Sequence, residues 1–273
     1  MRKKIKKKST KKTTRKSQTP SRKQILSSTK PKLEEFRFLS GEDSLSRETW
    51  RVFRILSEFI KGLDTLYGVT KGVSVFGSAR VKPGSPAYKF AEDAGYELGK
   101  KGFTVMTGGG PGAMEAANKG ARRAGARSVG LGIKLPFEDA MNPFIDLGEE
   151  FNFFFVRKVM LVKYAHAFII TPGGLGTLDE MFEALTLIQT GKVSNFPVIL
   201  MGKDHWAPLI DFLKNTLVSK KMLKEEDFKD FYVTDDPKEA ARIVERYWKV
   251  YLKEAKAELK AMKAQQTAHW TLE

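Results

Sequence analysis

The chain has 273 residues, 41% of them hydrophobic, with three histidines and no cysteine. This allows a sizeable core in one large domain, and it excludes a disulfide framework or a thiolate metal site; a histidine-rich metal centre is not expected either. The net charge of +16 is unevenly spread: residues 1–32 carry 14 of the 48 basic groups and none of the 32 acidic ones, leaving 34 basic against 32 acidic groups elsewhere.

That basic stretch comes first in chain order. It holds too little apolar surface to fold alone and reads as a disordered tail. It lacks the apolar stretch of a secretory signal, and lysine rather than arginine dominates it, unlike an organellar presequence. No apolar run anywhere approaches the ~20 residues of a membrane span, so the expected location is cytoplasmic. The tail fits a polyanion-binding arm or a solvated extension equally well. No aromatic residue interrupts it, so any nucleic-acid binding there has weak sequence preference.

Residues 33–70 read as a helical lead-in. Trp50, Phe53, Leu56, Phe59, Ile60 and Leu63 recur at helical spacing within a helix over 46–66. A regular alternation follows. Strands are expected at 72–76, 103–107, 128–133, 167–171, 197–201 and 231–234, with a further candidate at 151–155. Helices are expected at 86–101, 111–124, 156–166, 176–189 and 206–219. Proline in the first turn of the 111–124 helix costs nothing, because its missing N–H would be unpaired there. Strands alternating with helices imply a parallel sheet covered on both faces, an α/β, doubly wound, Rossmann-like fold over 71–236. Residues 237–273 read as a long C-terminal helix and tail. Its stripe of Val244, Trp248, Tyr251, Ala255, Leu259 and Met262 suits core packing at first and a subunit contact further out.

Three turns from strand to helix carry chemistry. They are Gly77-Ser78-Ala79-Arg80, Gly108-Gly109-Gly110-Pro111-Gly112 and Pro172-Gly173-Gly174-Leu175-Gly176-Thr177. In open α/β sheets ligands bind beyond the carboxyl ends of the strands. Glycines there let the backbone approach a ligand, and the next helix presents unpaired N–H groups and a positive dipole end. Together these features suit a phosphate. No segment fits the lysine-bearing P-loop, since Gly191-Lys192 follows a helix. Gly108-x-Gly110-x-x-Ala113 matches a dinucleotide fingerprint, but the strand after it ends in Lys134 and not in an acidic residue; Glu138 and Asp139 lie further on, in a loop. Arg157 and Lys158 sit early in a helix, where the dipole opposes cations. An anionic ligand or a carboxylate partner would explain them, as would plain solvation. The aromatic run Phe151, Phe153, Phe154 and Phe155 suits core packing or a stacking face for a base.

GGGPGAMEAAN (residues 108–118) and PGGLGTLDE (172–180), with Gly77-Ser78 and Arg157-Lys158, resemble the LOG family of cytokinin riboside 5′-monophosphate phosphoribohydrolases, also labelled lysine decarboxylase-like. The likeness runs from about residue 72 to 236. Where plant-like members carry Met-His two and three residues ahead of the arginine, this chain has Phe154-Phe155; the sequence looks more like bacterial homologues with a GSAR segment. The resemblance implies a hydrolase that cleaves the N-glycosidic bond of a nucleoside 5′-monophosphate, giving free base and ribose 5-phosphate. It implies Glu180 and Arg157 as catalytic residues. It implies substrate or phosphate binding by Gly77, Ser78, Gly108, Gly109, Gly110, Gly112, Glu115, Lys158, Gly173, Gly174, Gly176 and Thr177. It implies a homo-oligomer, most simply a dimer, with no cofactor and no metal. Two alternatives stay open. The same fold serves non-catalytic carriers of nucleotides or the molybdenum cofactor. And Thr177-x-x-Glu180 is also a capping box, in which Glu180 would only satisfy a backbone N–H.

Overall fold

The computed structural model describes residues 40–41, 45–134 and 141–270. The basic tail, most of the polar lead-in, and Glu138 and Asp139 lie outside the described residues. The chain divides into two units, residues 1–52 and 53–273. Helix α1 (Leu45–Thr65) contributes to both, and all other regular elements belong to the second.

That unit is built on β1 (Gly72–Phe76), β2 (Thr104–Thr107), β3 (Ser128–Ile133), β4 (Leu147–Phe151), β5 (Ala165–Ile170), β6 (Val198–Leu200) and β7 (Phe231–Val233). They form one seven-stranded sheet in the order β4-β3-β2-β1-β5-β6-β7, and every pairing is parallel. The chain winds outward from β1 to one edge, then returns to lay β5 beside β1 and winds to the other edge. The reversal between β1 and β5 is the switch point at which such sheets open a crevice.

The helices are α2 (Pro86–Lys100), α3 (Ala113–Arg123), α4 (Phe154–Lys163), α5 (Leu175–Gln189), α6 (Lys203–Phe212) and α7 (Pro237–Trp270). Alternation along each strand feeds two cores. Val73, Val75, Val105 and Ile169 pack with Ala91, Leu98, Ala117, Ala241 and Val244 of α2, α3 and α7. Phe76, Met106, Phe168 and Ile170 point the other way, onto Met160, Leu161, Met181 and Trp206 of α4, α5 and α6. These side chains are at most 6% exposed. Burying each large one contributes about 1.5–3 kcal/mol, and this sandwich holds the carboxyl edge of the sheet rigid beneath its loops.

Several boundaries differ from the sequence reading, most of all around β4, α4, β5 and α6. The strand expected at 151–155 is β4 (Leu147–Phe151), and its burial alternates as an edge strand's does. Its polar residues Glu149 and Glu150 hid it. The aromatic run is therefore divided: Phe151 is buried in the core, while Phe154 and Phe155 open α4 and are about half exposed. The α4 start is set from outside its own sequence, because Glu58 on α1 accepts the N–H groups of Asn152 and Phe153 at 3.1–3.2 Å. As a result Arg157 and Lys158 are the fourth and fifth residues of α4, two positions deeper than a start at 156 would put them. His166 lies in β5, not in a helix. Helix α6 starts at Lys203, three residues before the expected 206, because Asp235 accepts the N–H groups of Gly202 and Lys203. It ends at Phe212, and a π-helical turn, Leu213–Val218, continues it.

Candidate active site

The three glycine loops follow β2, β1 and β5, which are adjacent in the sheet. They are also bonded to one another: Ser78 N–H donates to the Pro172 carbonyl and Ala113 N–H to the Ser78 carbonyl, both at 3.1 Å. Two glycines make this contact possible. Gly112 has φ +70°, and a Cβ there would stand 2.6–2.7 Å from the backbone of Ser78 and Ala79. A Cβ on Gly77 would clash with Thr171 and Ala113.

The loop after β5 is built differently. Helix α5 starts at Leu175 with Gly174 as its N-cap and no side-chain cap. A Cβ on Gly174 or Gly176 would meet nothing within 4 Å, and neither has a positive φ. Neither packing nor a positive φ explains these two glycines, and the open space above them leaves room for close approach of a ligand. The N–H groups of Gly174, Leu175 and Gly176 have no acceptor among the described residues. Three free donors at the positive end of a 15-residue helix suit a phosphate. Gly173 lets Thr177 fold close beneath it, and its carbonyl lies 3.2 Å from His205 Nε2.

The start of α5 also settles the capping alternative. Thr177 lies inside the first turn and Glu180 in the second, so they form no capping box. Glu180 is 3% exposed. Its Oε1 accepts from the Arg157 guanidinium at 3.2 Å. Its Oε2 and the Arg157 Nε are buried and have no hydrogen-bond partner among the described residues. Burial pushes the Glu180 carboxyl above the ordinary glutamate range, against the pull of Arg157 and Lys158. Arg157 reaches the second loop as well: a Cβ on Gly108 would lie 3.2 Å from its guanidinium. The Phe154 ring sits 5.8 Å from the same guanidinium, within cation–π range.

Lys158, expected among the substrate-binding residues, is held by Asp179 at 3.0 Å and Glu183 at 2.7 Å. Burial alone would lower its pKa, but these carboxylates and the charge of Glu180 hold it above the usual lysine value. It ties α4 to α5 and so fixes the spacing of the Arg157–Glu180 pair. Glu115, in the first turn of α3, accepts from the Tyr88 hydroxyl at 3.2 Å. Burial together with the Glu115 charge pushes that phenol up to about 12.

Sequence reasoning did not single out the polar network beneath the second loop. Thr107 Oγ1 donates to Asn118 Oδ1 at 2.7 Å and accepts from Gly109 N–H at 3.0 Å. Asn118 donates to Ser128, and Asn142 joins Asn118 to the carbonyls of Gly109 and Gly110. Asn118 falls within the quoted motif, but Asn142 follows β3 by nine residues, and nothing in its local sequence marks it. Along the same carboxyl edge lies a cleft of about 640 Å³, bordered by Arg80, Lys82, Phe90, Pro172 and His205. Among the described residues no cluster of His, Asp and Glu is arranged to hold a metal, and no helix is long and apolar enough to cross a membrane.

A family model described as "Possible lysine decarboxylase" matches residues 114–244. A pyrimidine/purine nucleotide 5′-monophosphate nucleosidase of Escherichia coli is 33% identical over 144 residues, 48% of this chain and 32% of its own length. The chain thus spans about a third of that relative. A cytokinin riboside 5′-monophosphate phosphoribohydrolase of Mycobacterium tuberculosis is 30% identical over 156 residues, 56% of this chain and 83% of its own. Among solved structures, a structural-genomics target superposes with a TM-score of 0.50 at 29% identity, over 65% of this chain and 99% of that one.

Proposed function

Because this chain belongs to the LOG-type family of its mycobacterial relative, we propose that it hydrolyses the N-glycosidic bond of nucleoside 5′-monophosphates of the AMP or cytokinin riboside class. The observation that carries the reading is Glu180: a buried carboxylate on the helix whose N-terminus offers free N–H donors, with one oxygen on Arg157 and the other without a partner. Leu175 and Glu180 are five residues apart, roughly 7 Å along a helix axis, and the Glu180 side chain leans back toward the N-terminus. That is the scale separating the 5′-phosphate from C1′ within one ribose phosphate.

The chemistry follows from this placement. The phosphate sits on the N–H groups of Gly174, Leu175 and Gly176. The bond between C1′ and the base nitrogen breaks, and its electron pair leaves with the base. Positive charge develops at C1′ and the ring oxygen, and the Glu180 carboxylate faces it in a site where water does not screen the attraction. Water adds to C1′ and loses a proton, giving ribose 5-phosphate and, once the base is protonated, the free base. Arg157 holds the carboxylate in place. The exposed Phe154, stacked toward Arg157, gives the base an aromatic wall.

The enzyme is proposed to work in the cytoplasm as a homodimer, with residues 1–32 as an independent polyanion-binding tail. The half-exposed Tyr251, Leu259 and Met262 on α7 support the oligomer. Sedimentation at micromolar concentration showing only a 30.7 kDa species would overturn that part. The activity is tested by incubating the protein with AMP and the other natural monophosphates and separating free base by chromatography. Base release is expected. No release from any of them, with tight binding of a pterin phosphate, would favour a carrier.

A further inference from the structure

Asn142 arrives beneath the second glycine loop from the crossing between β3 and β4, and it is 8% exposed. Its N–H donates to the Gly109 carbonyl at 2.8 Å. Its Nδ2 lies 3.0 Å from the Gly109 carbonyl, 3.1 Å from the Gly110 carbonyl and 3.0 Å from Asn118 Oδ1. Its Oδ1 accepts from Phe144 N–H at 3.1 Å. Three acceptors around one end and a donor at the other fix which way the amide faces.

In a trans peptide the carbonyl and the N–H point in opposite directions. Asn142 draws the Gly109 carbonyl onto itself, so the N–H of the same peptide, that of Gly110, is turned away from it. That N–H has no acceptor among the described residues. The next residue is Pro111, which has no N–H to compete. Gly109 N–H is taken by Thr107 Oγ1 at 3.0 Å. The loop thus presents the Gly110 N–H as a donor whose direction Asn142 sets, two residues from the point where Gly108 borders Arg157.

We infer that Asn142 is a positioning residue which sets the Gly110 N–H as a donor to an oxygen of the ribose phosphate moiety. The inference rests on the hydrolase reading above. The test compares wild type with Asn142→Ala, with Asn142→Asp, which keeps the acceptor for Phe144 but loses the Nδ2 donors, and with Ile145→Ala. Ile145 packs under Gly109 and Gly130 without bonding the loop. Calorimetry gives the Kd for ribose 5-phosphate, kinetics the KM and kcat for AMP, and thermal melts the stability. Both Asn142 variants should raise the Kd and the KM about tenfold, the scale of one lost hydrogen bond to a charged group. Ile145→Ala should lower the melting temperature and leave the Kd and KM within about twofold, because it leaves the donor in place. Folded Asn142 variants that bind ribose 5-phosphate like wild type would overturn the inference. So would an equal loss in Ile145→Ala, or failure of both Asn142 variants to fold, since either makes the residue purely structural. Wild type that neither binds ribose 5-phosphate nor releases adenine would overturn the hydrolase reading, and the inference with it.

Discussion

Glycines 77 and 112 and glycines 174 and 176 sit in loops of similar composition on neighbouring strands, yet they are glycine for opposite reasons. The first pair is crowded: a Cβ at either would collide with the adjoining loop, and Gly112 also has a positive φ. The second pair faces open space, and neither has a positive φ. Packing requires glycine in one case; in the other nothing in the fold does, which is what the proposed phosphate site would explain. A glycine-rich motif is therefore not uniformly a binding motif. Arg157 and Lys158 repeat the lesson with charge: one cation meets the carboxylate beside the loops, and the next is consumed in tying two helices together.

The largest effect is expected at Arg157. Arg157→Ala should slow base release by about 10²–10³-fold, the scale for losing one preorganised charged partner. It should also destabilise the fold by about 3 kcal/mol, because Glu180 is left buried and unpaired. Lys158→Ala should lower the melting temperature with a much smaller change in rate; a rate loss matching that of Arg157→Ala would erase the distinction between the two cations.

The glycine comparison breaks or holds on a pair of substitutions. Gly112→Ala should cost about 3 kcal/mol or more in urea unfolding, through its backbone angle and the collision with Ala79. Gly174→Ala should leave stability within about 0.5 kcal/mol and raise the KM for AMP about tenfold, by standing where the phosphate approaches. Equal destabilisation by both would refute the division.

A pH titration sharpens the same contrast. The Glu180 carboxyl is held above the ordinary glutamate range by burial, and in the proposed mechanism the carboxylate is the active form. The acid limb of kcat should therefore lie above the pKa of an ordinary glutamate. Stability runs the other way. A folded-state pKa above the unfolded one contributes stability below the unfolded pKa, and that contribution is lost as pH rises through the folded value. Melts of wild type and Glu180→Gln should accordingly shift against wild type as pH rises. The smallest effect concerns residues 1–32: removing them should leave base release within about twofold, since that stretch carries charge and no core, while retention on heparin falls sharply.

Much of this was legible in the sequence because it is local. The apolar run 72–76 announces a buried strand, and the helix expected from 86 starts there; the structure adds its cap, the Ser85 hydroxyl accepting from Tyr88 N–H. The glycine loops mark the carboxyl edge. What escaped is what distant residues impose. Glu58 sets the start of α4 from 94 residues away in sequence, and Asp235 sets the start of α6. The polar edge strand β4 carries no apolar run to announce it. Asn142 owes its place to the crossing that brings it under Gly109, a relation that no spacing within its own segment encodes.

The central claim is that Glu180 is the carboxylate that meets the ribosyl cation. The measurement that tests it most directly is base release from the best monophosphate by wild type and Glu180→Gln, beside thermal melts of both proteins at neutral pH. Glutamine keeps the shape and can still accept from Arg157, but it removes the negative charge. Glu180→Gln should lose rate by orders of magnitude while melting within a few degrees of wild type. Equal rates in two equally folded proteins would contradict the claim and would leave Glu180 as a structural partner of Arg157.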